Sequence, residues 1–157
     1  MSDLREELYS LLVPLANERL IVPRACVAEV ISYQVPAEMS NSPPWYLGLV
    51  NWSNHSVPVV AFEGAFGQVL PTVSNRTRIL IFHASAGKLR CGYFGMLTQG
   101  FPQLVRVNAD VVRPDPSRSF PDRAPVFCQV HMVNETPLIP DLYRLEEMMA
   151  EETSVIP

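Results

Sequence analysis

Fifteen prolines in a chain of 157 residues leave little room for long helices, because each lacks an N–H and obstructs the turn before it. Short β-branched and aliphatic runs lie between them. Leu11, Leu12 and Val13, then Leu20, Ile21 and Val22, flank turn material at residues 16–19 and predict a hairpin, with Pro14 and Pro23 as helix breakers. Residues 79–82 and 89–94, joined by a turn at 84–88, predict a second. Residues 101–107, 126–133 and 138–139 add short strands, and the proline-rich segment 114–125 is a loop. With little helical periodicity elsewhere, the pattern predicts an all-β barrel or sandwich with many turns.

Outside residues 43–63, three places look helical. Ser2 can cap a short helix through Glu6 and Glu7. Val27, Val30 and Ile31 stand at helix-like spacing and predict one or two turns over residues 25–31, before Pro36. Asp141 caps a final helix in which Leu142, Leu145, Met148 and Met149 form the apolar face, while Glu146, Glu147, Glu151 and Glu152 take the wet one.

The densest information lies in residues 43–63, PPWYLGLVNWSNHSVPVVAFE. Pro43 and Pro44 pre-set a first turn, so residues 45–47 predict one helical turn that Gly48 ends. An extended run follows from Leu49. The polar group Ser53, Asn54, His55 and Ser56 reverses the chain, and residues 57–62 return as a strand in which Pro58 belongs at an edge or near the start. Trp45, Tyr46, Trp52, Phe62 and Phe66 supply a concentration of rings. Most of these are core by size, although two tryptophans so close also suit an interaction surface.

Length and charge narrow the function. The chain suffices for one domain, or two small lobes sharing a core, and 48% hydrophobic content excludes general disorder. A net charge of −4 offers no basic footprint for nucleic acid and little attraction to an anionic membrane. No apolar run reaches the roughly 20 residues of a bilayer span, and the acidic first residues do not resemble a secretory signal, so the expected location is cytoplasmic, without membrane insertion. In that setting the N-x-S/T matches at Asn51, Asn54, Asn75 and Asn134 read as turn chemistry.

No nucleophile elbow, phosphate loop, dinucleotide fingerprint or zinc-protease motif is present, and no cofactor is implied. Cys128 and His131 have a ligand-like gap, but three residues apart on a strand places them on opposite faces. Cys26, Cys91 and Cys128 sit among apolar neighbours and read as reduced thiols. Two alternatives stand beside a binding module without catalysis. One is a small cysteine hydrolase pairing one of these thiols with His55, His83 or His131; the other is a β-barrel with an internal ligand pocket.

The ordered set Val27-Ala28-Glu29-Val30-Ile31, then Asn41-Ser42-Pro43-Pro44-Trp45-Tyr46-Leu47-Gly48-Leu49-Val50-Asn51, then Val57-Pro58-Val59-Val60 resembles the CheW-like domain of bacterial chemosensory adaptors. Residues 79–82, Gly92 and Leu138-Ile139-Pro140-Asp141 extend the resemblance over residues 9–149, leaving 1–8 as an N-terminal extension and 150–157 as an acidic tail. The resemblance implies two intertwined five-stranded β-barrels and no catalysis. It also implies a scaffold between the signalling tip of methyl-accepting chemoreceptors and a CheA-type histidine kinase. Positions matching the family's interaction sites are Val27, Glu29, Gly48, Asn51 and Ser53. Val27 has a core reading and Glu29 a solvated one, and Gly48 serves backbone geometry first. The family's N-L-R-G motif is altered here: Ser53 and Asn54 replace arginine and glycine, Ala61 replaces a strand-ending aspartate, and Met96 replaces another. Loss of the arginine removes a fork-shaped donor suited to carboxylates. Such divergence is similar to accessory CheW-like proteins of the pathways governing type IV pili and twitching motility.

Overall fold

A computed structural model describes residues 7–153; the expected N-terminal helix from Ser2 lies outside them, and Glu7 itself is not helical. Eleven strands form two sheets. The chain begins with β1 (Leu8–Pro14) and β2 (Arg19–Pro23), an antiparallel hairpin whose turn is closed by the Leu15 amide on the Glu18 carbonyl at 2.9 Å. It then builds the whole second sheet from β3 (Val27–Ser32), β4 (Tyr46–Trp52), β5 (His55–Val60), β6 (Arg78–His83) and β7 (Tyr93–Thr98). It returns to the first sheet with β8 (Gln103–Val107), β9 (Arg113–Asp115), β10 (Val126–His131) and β11 (Leu138–Pro140). The spatial orders are β8-β1-β2-β11-β10-β9 and β3-β6-β7-β5-β4. One unit is thus inserted between the halves of the other, as expected. The first sheet has six strands, not five, because three residues at the start of the proline-rich loop pair with the edge of β10.

Three apolar clusters explain the layering. Val50, Val57, Val59, Ile79, Ile81 and Leu97 cluster on one face of the second sheet, while Ile21, Val130 and Met132 anchor a smaller cluster in the first. Between them, Val13, Leu20, Val22, Val60, Phe62, Leu80, Phe82, Phe94 and Met96 join both sheets to Leu145 and Met149 of the C-terminal helix. Alternation divides β6: Ile79 and Ile81 point into one cluster, Leu80 and Phe82 into the shared one. Both faces of this sheet are therefore dry.

That double burial overturns the helical reading of residues 25–31. Only Arg24–Cys26 makes a single 3-10 turn, and Val27–Ser32 is a strand. Val27 and Val30 pack toward the shared cluster, Ala28 and Ile31 toward the other, and a bulge between Val27 and Glu29 produces the spacing that mimics a helix. The predicted helical turn at residues 45–47 is also absent. The Tyr46 amide reaches the Pro43 carbonyl at 3.0 Å in a tight turn, and β4 starts at once, with Gly48 inside it. Residues 62–65 form a short helix, α1 (Phe62–Ala65), at the end of β5. Leu89 belongs to a turn rather than to a strand, yet it is buried.

Pro58 sits within an internal strand. Its partner Leu49 exchanges both backbone bonds with Ala37, at 3.0 and 2.8 Å, so the Leu49–Pro58 pair is a non-hydrogen-bonded one. The proline nitrogen faces the other side, where pairing with β7 begins only at Val59.

The closing helix, α2 (Leu142–Thr153), runs past the expected start of an acidic tail and is capped by the Asp141 carboxylate on the Arg144 amide at 3.0 Å. Leu145 and Met149 are buried as predicted. Glu146 is not on the wet face: it is 1% exposed and accepts the Ala86 and Lys88 amides at 3.3 and 3.2 Å. No helix among the described residues is long and apolar enough to cross a membrane.

Candidate partner-binding surface

The five family-matched positions fall on the two edges of the second sheet. Val27 and Glu29 lie on β3, at one edge; Gly48 and Asn51 lie on β4, at the other, and Ser53 is in the turn that follows. They do not form one pocket. Residues 33–37 cross from one edge to the other, with the Gln34 amide on the Asn51 carbonyl at 3.2 Å and Ala37 bridging Leu49.

Each position has a distinct physical character. Val27 is half-buried against the shared cluster, whereas the Glu29 side chain is exposed. Gly48 has φ of +129°, and a Cβ there would stand 2.1 Å from the Ala37 carbonyl oxygen, so the edge bridge itself requires glycine. Asn51 is exposed. Ser53 and Asn54, with φ of 47° and 63°, form a two-residue turn with both residues left-handed, the geometry matched to the twist of a tight hairpin. Asparagine tolerates that conformation better than serine, so Asn54 stands in for the family's glycine at little cost and Ser53 is the strained member. Trp52 packs edge-on against Tyr93, with ring centroids 4.8 Å apart, which holds the base of this turn.

A second exposed surface escaped the motif comparison. Tyr9 and Leu104 project from the same face of the β1–β8 pair and are 50% and 52% exposed, and Phe101, 67% exposed, precedes β8. Arg106 lies over the Tyr9 ring at 5.9 Å and Arg78 over the Phe101 ring at 4.8 Å. Arg78 is on β6 and pairs with Thr98 at the end of β7, three residues before Phe101, so this contact packs the link to β8 against the end of the second sheet. The sequence signal was the adjacent pair Leu104-Val105, because neighbours on a strand face opposite sides and only Val105 joins a core cluster.

Cys91, His55 and His83 all contact Tyr93, whereas Cys26 and Cys128 have other neighbours, and no thiol–imidazole hydrogen bond is found among the described residues. Burial pushes the Cys26 thiol up, Cys91 donates to the Tyr93 carbonyl at 3.0 Å, and Cys128 packs beside Ile139. The His55 and His83 rings lie against Tyr93, 5.3 and 5.6 Å away between centroids. A groove of about 590 Å³ opens between residues 114–124 and β10, bordered by Arg118, Phe120, Phe127 and Cys128, with Val126 of the shared cluster in its lining.

Comparison with known proteins agrees with this architecture. The crystal structure of the scaffolding protein TtCheW from Thermoanaerobacter tengcongensis superposes with a TM-score of 0.73 at 18% identity, covering 89% of this chain and 88% of that one. No curated protein matches by sequence. The CheW-like domain matches residues 10–145, from the first strand into the first turn of α2. By that match, which takes in both sheets, the chain belongs to the CheW-like domain family.

Proposed function

We propose that this protein is a non-enzymatic chemosensory adaptor that links the signalling tip of a methyl-accepting chemoreceptor to a CheA-type histidine kinase in the cytoplasm. The family match across residues 10–145 carries the reading. The surface chemistry supports it: exposed Glu29, Asn51 and Ser53 offer polar contacts on two sheet edges, and Tyr9, Phe101 and Leu104 add apolar area of the kind that anchors protein partners. Val27 and Gly48 serve by shaping the edges that bear those contacts. Recognition requires no cofactor.

The altered turn supports a finer assignment, to a pathway controlling type IV pili and twitching motility. A neutral Ser53 in place of arginine removes a carboxylate-directed donor from an otherwise rigid hairpin, which retunes partner choice without changing the fold. Binding of the full chain to a CheA-type kinase and to a receptor tip from its own cell, measured by calorimetry, tests the adaptor reading. Association weakened at least tenfold by Glu29→Lys is expected; no association with either partner refutes it. Pilus assignment is tested by deleting the gene: lost twitching with intact swimming is the expected phenotype, and the reverse refutes it.

A further inference from the structure

The two sheets meet at a seam built from the β1–β2 turn, α1 with the residues after it, and the proline-rich loop. Glu18, in the turn, takes both arms of the Arg118 guanidinium at 3.1 and 2.8 Å, and Gln68 donates its side-chain amide to the same carboxylate at 2.8 Å. Arg118 is further held over the Phe66 and Phe120 rings, 5.4 and 5.1 Å from their centroids. Beside this ion pair lies Glu63, on α1, only 1% exposed. Its Oε2 accepts the Ala16 amide of the same β1–β2 turn at 3.0 Å. Gln68 ties the two segments together, since its backbone amide reaches the Glu63 main-chain carbonyl at 2.7 Å while its side chain binds the Glu18 carboxylate.

Two buried oxygens at this seam have no donor: Glu63 Oε1 and Gln68 Oε1. Both are acceptors, and the Gln68 amide cannot be turned round to supply a donor without losing its bond to Glu18. Leaving two such buried atoms unpaired is unfavourable. A single proton reconciles them. We infer that Glu63 is carried as a neutral carboxylic acid whose Oε1 hydroxyl donates to Gln68 Oε1, which makes the junction of the two sheets a proton-dependent seam.

The charged groups around it agree. The packed turn contributes Glu18 and Arg19, the latter pairing with Glu135 at 3.3 Å, and the proline-rich loop contributes Arg118, which is committed to Glu18. No cation pairs with Glu63 among the described residues. Burial raises the Glu63 carboxyl above the usual glutamate range, outweighing the backbone amides of Ala16 and of Glu63 itself, which lower it. An acid whose folded-state value is raised binds its proton in the native state while the unfolded chain has lost it. Stability from this site is therefore present at low pH and lost as pH climbs from the ordinary glutamate range through the raised value. Ionisation breaks the link to Gln68 and loosens the support of the Glu18–Arg118 pair.

Carbon-13 NMR of the glutamate side-chain carboxyl carbons in the intact wild-type chain tests the assignment directly. At pH 7 the Glu63 signal is expected at the neutral-acid position. A carboxylate signal for Glu63 at pH 7 overturns the inference, and with it points to a trapped water as the missing donor. Glu63→Gln supplies an amide that can both accept from Ala16 and donate to Gln68. It is expected to keep the wild type's low-pH stability without the loss that the wild type shows as pH rises, and so to exceed the wild type at pH 7; a large loss relative to the wild type at pH 7 would count against the neutral acid.

Discussion

Glu146 offers the sharpest test of how the C-terminal helix is attached. Its carboxylate, buried under residues 84–88, accepts the Ala86 and Lys88 amides at 3.3 and 3.2 Å, and Tyr143 one turn earlier reaches the Ser85 carbonyl at 3.4 Å. Hydrogen bonds to a charged acceptor contribute about 1.5–3 kcal/mol each, and these two are long, so the lower half of the range applies. Glu146→Ala removes both acceptors and leaves two partly buried N–H groups, which predicts a loss of roughly 2–4 kcal/mol. For a domain of this size that corresponds to a fall of about 5–12 °C in Tm, read by circular dichroism. Glu146→Gln keeps one acceptor oxygen and should lose about half as much. Glu147→Ala is the control: its residue is exposed and its contact with Arg144 is 3.7 Å, so the change should stay within about 0.5 kcal/mol. Hydrogen exchange at Ala86 and Lys88 should accelerate in the alanine variant alone. If Glu146→Ala and Glu147→Ala give the same Tm, the cradle contributes nothing and the reasoning fails.

Other perturbations separate geometry from recognition. Gly48→Val drives a side chain into the Ala37 carbonyl from a left-handed backbone, so chemical denaturation should show a loss of roughly 2–4 kcal/mol; a neutral effect would mean that the edge bridge is dispensable. For Glu18, burial alone would raise the carboxyl, but hydrogen bonds from Arg118 and Gln68 together with the Arg118 charge outweigh it and hold the group below the usual range. Its contribution is thus present above the ordinary glutamate value and lost as pH falls through the lowered one. Urea midpoints taken from about pH 6 to about pH 3 should fall less steeply in Glu18→Gln than in the wild type. At the hairpin turn, Ser53→Gly should stabilise by about 0.5 kcal/mol by relieving the left-handed serine. Ser53→Arg should instead tighten binding to an ordinary chemotaxis kinase or receptor; unchanged affinity in calorimetry would make this turn purely structural.

How far the sequence reveals such a molecule depends on whether a residue's role is local. The β1–β2 and β4–β5 hairpins were legible because turn-forming residues sit between apolar runs, and the Asp141 cap because its partner is three residues away. Strand β3 was misread because the rule of alternation assumes one wet face. With two dry faces and a bulge, Val27, Val30 and Ile31 lose the period of two that marks a strand. Polar burial was the other blind spot. Glu63 and Glu146 look like surface acids in any window, and their donors lie 47 and 60 residues away along the chain, at Ala16 and Ala86. The candidate surface divides in the same way. Gly48 and the turn at Ser53 carry motif information, but that β3 and β4 are opposite edges of one sheet follows only from the order β3-β6-β7-β5-β4. Residues 33–37 join these edges, so a partner touching both Glu29 and Asn51 either spans that segment or engages the two edges separately. Double substitution of Glu29 and Asn51 distinguishes these cases: a single partner spanning both edges gives coupled losses, and two partners on separate edges give losses confined to one binding event each.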